Sequence, residues 1–325
     1  MKESLYIQVI RRGWYFMWNN KIVWIFGLFA AFLGQFGIVE FLGKIGFTTG
    51  NFQSYFGSFI SVTDGVGGLV SLVSNSFSNG FLIFLLMVLL LSLSALFIFI
   101  SVTSQGLLVY LSAESVNKKK ELNISKAWSV SGANFWRLLF INFFKKLIIT
   151  VLAIFVSLSA YSALTNPTLG NSLLFLLVFI LVSFAGLVLS FMVVYSAAYV
   201  IIEKYSVYEA IAAAWNLFLG HWLVSIEVGL ILLIFNMFLA AVIVLGFALI
   251  ILPAILLWLV VILIGVGQAG LIAGLIAGLI FFTMYLMVIG GAFSVFTIYV
   301  WTHLFMKMHK VGIKSRVLHY LSYKK

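Results

Sequence analysis

The sequence predicts an all-α, polytopic transmembrane helix bundle of about six spans, forming a single integral membrane domain over residues 1–325. Three observations carry that prediction. Hydrophobic residues make up 64% of the chain and charged residues only 8%, against about 25% charged in ordinary soluble domains. Several stretches run without a charge for the roughly 20 residues that one membrane-crossing helix needs. Lys and Arg gather almost entirely between alternate stretches. The mean hydropathy of +1.22 points the same way, since so apolar a chain could not cover a water-exposed surface.

The first span is expected over Ile22–Val39. It differs from a cleaved signal peptide in three ways: about twenty residues precede it, its apolar core is long, and no small-residue cleavage site follows. Charge-free runs predict further spans over Phe81–Leu111, Leu147–Ala163 and Leu173–Ile202. In lipid each must satisfy its own backbone, so each is a helix. From Trp222 to Phe305 the only charge is Glu227, and Pro253, Gly265, Gly267 and Gly270 punctuate the run. Spans five and six are expected over Trp222–Phe247 and Gly270–Leu304, with an apolar interfacial or re-entrant piece between them. Eight spans is the alternative. Either arrangement returns the C-terminus to the side of the N-terminus.

Charge orients the bundle. The segments 1–21, 112–146, 203–221 and 305–325 hold 4, 7, 1 and 6 Lys or Arg, which is 18 of the 19 in the chain; Lys44 is the exception. Basic loops stay in the cytoplasm, so both termini are expected there, in a cell membrane. Eight of the nine tryptophans (Trp14, Trp18, Trp24, Trp128, Trp136, Trp215, Trp222 and Trp301) fall at or near the same boundary, where indole pairs an apolar face with an N–H donor. Trp258 is the ninth.

A threefold internal pattern runs through those segments. RRGWYFMWNNKIVW (Arg11–Trp24), SKAWSVSGANFW (Ser125–Trp136) and AAAWNLFLGHW (Ala212–Trp222) each place a short amphipathic stretch and an Asn or Gly before a Trp that enters a span. Apolar stripes at helical spacing are expected on Leu5, Val9, Ile10, Trp14 and Met17; on Ile124, Ala127, Trp128 and Ser131; and on Val207, Ile211, Ala214, Trp215 and Phe218. The third helix carries a capping box, Ser206 with Glu209, and Gly220 as its stop. The pattern divides the chain into three repeats, 1–113, 114–203 and 204–325, each an in-plane amphipathic helix followed by two spans. Trp14, Trp128, Trp215, Glu203, Ser206 and Glu209 are its signature.

The run VIIEKYSVYEAIAAAWNLFLGHW (Val200–Trp222) resembles bacterial six-helix membrane proteins of unknown function, related to the membrane domain of some glycerophosphodiester phosphodiesterases. In that pattern a Glu ends a span, a capped helix carries a Trp and an aromatic opens the next span. The matching positions are Glu203, Ser206, Glu209, Ala210, Trp215 and Trp222. The soluble phosphodiesterase domain is absent, so the resemblance implies a fold and no catalytic activity.

Chemical motifs are scarce. Gly265, Gly267 and Gly270 match the dinucleotide fingerprint by spacing, but no Asp or Glu follows Glu227 to hold a ribose. Gly270, Gly274 and Gly278 recur every four residues and read instead as a small-residue helix-packing face. With no cysteine, disulfides and thiolate zinc sites are excluded. Asp64 is the sole Asp and His303 and His309 are six apart, so neither a Ser-His-Asp triad nor a metal set is expected. No cofactor is expected either.

Glu227 is the leading candidate site, because ionisable groups inside membranes suggest function by default. Its shallow depth favours a structural ion pair with Lys145 or Lys146 over a ligand or proton site, with snorkelling to the interface the remaining alternative. Gln105, Asn142, Asn236 and Gln268 are expected to make interhelical hydrogen bonds. The loop over 40–80, rich in Gly, Ser, Asn and Phe, reads as an outer connection. The net charge of +11 fits anionic lipid on the cytoplasmic leaflet rather than nucleic acid. These features predict a non-enzymatic organiser of lipid or of partner membrane proteins. A carrier for a small or lipid-like molecule is the alternative.

Overall fold

The computed structural model describes residues 5–34, 80–117, 122–264 and 268–311. Among them every element is helical: α1 (Leu5–Asn19), α2 (Val23–Gly34), α3 (Gly80–Val116), α4 (Ile124–Ala133), α5 (Phe135–Thr165), α6 (Leu169–Ala198), α7 (Val207–Ile264) and α8 (Gln268–Val311). A single π-helical turn, Tyr199–Glu203, ends α6. Five helices (α3, α5, α6, α7 and α8) are long and apolar enough to cross a membrane, and the bent pair α1–α2 brings the number to six. The chain is thus a multi-pass, all-helical membrane protein. The connection expected over 40–80, the end of the first span and the basic tail beyond Val311 lie outside the described residues.

Short helices meet long ones at three breaks. The axes of α1 and α2 differ by 117° across residues 20–22. Asn134 separates α4 from α5, with φ −102° and ψ 13°. His221 interrupts α7, with φ −135° and ψ 28°. A break frees carbonyls of the preceding turn, and these need other donors. At the first, the Trp24 indole N–H donates to the Met17 carbonyl at 2.8 Å. At the third, the Ser225 hydroxyl donates to the His221 carbonyl at 3.2 Å and meets the Tyr195 hydroxyl at 2.8 Å. Gly220, expected to stop its helix, is passed without a break; the turn ends one residue later.

Packing follows a cyclic order. α1 lies on α8, α4 on α3, and the first stretch of α7 on α6, where Phe218 meets Phe191. The helix after each break wedges between two others: α2 between α8 and α3, α5 between α3 and α6, α7 between α6 and α8. The three helices α3, α6 and α8 also touch one another, forming the inside of the bundle.

The core sits at the end of the bundle where the breaks lie. On α3, residues 101–109 and 111–114 are buried apart from Gln105, whereas residues 84–99 are exposed. α6 and α8 show the same division, with residues 195–201 and 293–296 buried and Leu173, Leu174, Leu279 and Ile280 exposed. Exposed apolar halves of this length suit lipid rather than water. Trp301, grouped with the boundary tryptophans above, belongs to the core and packs on Phe191 and Tyr195.

Two backbone approaches tighten the bundle. A Cβ on Gly291 would fall 2.6 Å from the Trp24 carbonyl oxygen, and one on Gly27 would strike the Gly291 carbonyl. α2 and α8 therefore cross with backbone against backbone. Farther along, the Tyr285 ring covers Gly246 and its hydroxyl donates to the Val242 carbonyl at 2.6 Å.

The long apolar run departs from expectation. The piece foreseen between Phe247 and Gly270 is no separate element, because α7 continues through Pro253 to Ile264 and α8 begins at Gln268. Proline forfeits one backbone hydrogen bond, yet such a loss is tolerated where neighbouring helices and local adjustments satisfy the freed group.

Candidate functional site

The three breaks are alike in register and in chemistry. Asn20, Asn134 and His221 each stand six positions after Trp14, Trp128 and Trp215. Each turns its side chain back to the carbonyl four residues earlier. Asn20 Nδ2 donates to the Phe16 carbonyl at 2.9 Å, Asn134 Nδ2 to the Val130 carbonyl at 3.0 Å, and His221 Nδ1 lies 3.3 Å from the Leu217 carbonyl. The residue before each Trp is small and buried: Gly13, Ala127 and Ala214. Gly13 has to be small, because a Cβ there would sit 3.2 Å from the Tyr299 ring and from Val300.

The tryptophans themselves differ from the expected stripes. Trp14 is 50% and Trp215 45% exposed, while Trp128 is half-buried between Phe26 and Phe99. The inward face of α1 is Val9, Gly13, Phe16 and Met17; its outward face is Ile7, Arg11, Trp14, Tyr15 and Trp18. Trp14 stacks on Trp18 with ring centroids 6.0 Å apart, and Trp18 reaches Trp24 at 5.9 Å.

Glu227 lies on α7, half-buried, and accepts a hydrogen bond from the Tyr6 hydroxyl on α1. A shallow apolar cleft opens beside Tyr6, lined by Val9, Ile10, Val228, Ile231 and Val300. Lys145 is half-buried and Lys146 exposed on α5, a helix that touches α7. Tyr6 gave no sequence signal as a partner, because it stands 221 residues away.

The capping box forms reciprocally. The Ser206 N–H donates to Glu209 at 2.9 Å and the Glu209 N–H to Ser206 Oγ at 3.4 Å. Glu203 ends the π turn and pairs with His309 of α8 at 3.6 Å, while the Tyr199 hydroxyl lies 3.4 Å from the other nitrogen of that ring. Lys204 follows at φ 60°, a left-handed conformation uncommon outside glycine. His309 was missed as the partner of Glu203; the pairing depends on α6 and α8 ending side by side, which no local pattern encodes.

Among the polar candidates, Asn142 Nδ2 donates to Gln105 Oε1 at 2.7 Å, an interhelical bond between α5 and α3. Asn236 instead bonds the Leu232 carbonyl of its own helix at 3.0 Å. On α3 and α4, the hydroxyls of Ser101, Ser104, Ser112 and Ser131 are buried without a hydrogen-bond partner. The side chain of Gln268 and the surroundings of Gly270 and Gly274 lie outside the described residues. Gly278 is half-buried near the far end of α8. The described glycines at which backbone meets backbone are Gly27 and Gly291, which the four-residue spacing rule did not single out.

The chain matches no protein-family model, no curated protein and no solved structure.

Proposed function

We propose that this protein is a non-enzymatic organiser of anionic lipid, and of partner membrane proteins, at the cytoplasmic leaflet of the cell membrane. The observation that carries the reading is the triple recurrence of a helix break six positions after a Trp, with each short helix laid on a span of another segment. In this reading α1, α4 and the start of α7 are in-plane helices that wedge into the leaflet, since amphipathic helices with Trp and basic residues bind there. The three repeats, 1–113, 114–203 and 204–325, then close into a ring through the contact of α1 with α8. The likeness of Val200–Trp222 to the membrane domain of glycerophosphodiester phosphodiesterases supports a shared fold and no activity. Depleting the protein is expected to change membrane lipid composition or the recovery of membrane complexes. An unchanged membrane in both respects overturns the reading.

A second reading, a carrier for a small or lipid-like molecule, draws support from Glu227, Tyr6 and the cleft beside Tyr6. It requires flux into proteoliposomes that disappears in Glu227→Gln, and flux unaffected by that change removes it.

A further inference from the structure

We propose that the corner between α1 and α2 is a binding site for the headgroup and one chain of an anionic glycerophospholipid. The proposal deepens the organiser reading and rests on its placement of this corner in the cytoplasmic leaflet. Lys21 is exposed in the turn itself, and Arg11 is exposed on the outward face of α1. Trp14 and Trp18 stand on that same face, and Trp24 closes the cluster from α2. Cations beside indoles suit a phosphodiester lying at the level of the glycerol backbone.

What lies below the corner fits the rest of the molecule. Ile22 in the turn and Ile25 and Phe32 on α2 are exposed, at spacings that follow a helix face, with Phe32 edge-on to Phe97 of α3. They form an apolar track that descends from the cationic end. A headgroup at Lys21 and an acyl chain along this track match the two halves of a lipid in order and direction.

The other corners supply internal comparison. At the third, Trp215 and Trp222 are exposed and an apolar track of Leu230, Leu233 and Ile234 follows. Yet no Lys or Arg occurs between Lys204 and Lys307, so that corner offers indoles without charge. At the second, Lys126, Arg137 and Trp136 are exposed, with Arg137 bound to Asn134 Oδ1 at 3.2 Å. Trp128 there is half-buried between two phenylalanines. Among the described residues, an exposed stack of indoles occurs at the first corner, next to the turn lysine and the track.

The test uses the full chain in nanodiscs of phosphatidylcholine containing phosphatidylglycerol as a minor component, with retained lipids counted by native mass spectrometry. The wild type is expected to keep phosphatidylglycerol. The double variant Arg11→Gln, Lys21→Gln is expected to keep it about thirtyfold less well, as two basic residues at an anionic surface imply. Arg11→Lys with Lys21→Arg should restore retention, and Lys310→Gln, an exposed cation elsewhere on α8, should leave it unchanged. Melting temperatures of all variants show whether the fold is kept. Retention that survives the double variant, or that falls as far in Lys310→Gln, overturns the site. If depletion alters the membrane and the double variant restores it fully, the site fails and the organiser stands. If depletion alters nothing while the double variant loses its lipid, the organiser fails and the site stands.

Discussion

The Tyr6 hydroxyl donates a hydrogen bond to Glu227, and this gives a residue-scale prediction. Tyr6→Phe removes one hydroxyl and leaves the ring. Bonds to charged acceptors contribute about 1.5–3 kcal/mol, so both Tyr6→Phe and Glu227→Gln should lower thermal stability in detergent. A double-mutant cycle should return a coupling of about 1–2 kcal/mol, and additive losses would show that the two groups act apart. Gln105 and Asn142 should couple less, by about 0.6 kcal/mol, the average for polar pairs inside membranes. The same cycle with Gln105→Leu and Asn142→Leu measures it. These residues illustrate what a sequence discloses. Glu227, Gln105 and Asn142 stand out because polar side chains are rare in apolar runs. Their partners do not, except where both members are rare, as with Gln105 and Asn142. Tyr6 is one tyrosine among 13, and nothing local distinguishes it.

At the scale of elements, the crossing of α2 with α8 is the tightest joint in the described structure. Replacing Gly291 with Val drives a side chain into the Trp24 carbonyl, and overpacking of this kind costs about 1–3 kcal/mol. Thermal unfolding of Gly291→Val should register that loss. Gly290→Val, next in the chain, adds a side chain where nothing lies within 4 Å, so its melting temperature should stay near that of the wild type. Equal losses in the two variants would mean that helix propensity, not the crossing, is responsible. The elements were largely legible because charge-free length and Trp-bearing boundaries mark helix ends. The exceptions have physical causes. Gly220 suggested a stop, but a helix can pass a glycine, and the stop came where His221 could bond the Leu217 carbonyl. Pro253 suggested an interruption, but α7 absorbed it. The four-residue glycine spacing drew attention to Gly270, Gly274 and Gly278, whereas the close approach at Gly27 and Gly291 depends on a crossing that one-dimensional periodicity does not encode.

Across the whole molecule, the absence of cysteine makes orientation measurable without background. Single substitutions Ser125→Cys and Ser206→Cys, at the starts of α4 and α7, should react with a membrane-impermeant maleimide only from the cytoplasmic face. Thr168→Cys, in the turn between α5 and α6, should react only from outside. The reverse pattern would invert the proposed topology. The cyclic order of packing was the least legible property of all. It could be suspected from three similar segments, but which span each short helix lies on is a long-range fact, settled by packing.

That order bears on how the chain is made. Chains leave the ribosome from the N-terminus, so α1 emerges before α8. Its docking surface, around Phe296, Tyr299 and Val300 of α8, emerges only after the intervening helices. Between those moments Val9, Phe16 and Met17 have no α8 to cover them, and an amphipathic helix in that condition invites chaperones and proteases. Docking of α1 on α8 thus reports that synthesis has passed α8. A nascent chain arrested before α8 should carry an α1 that proteases cut readily, and release of the finished chain should protect it.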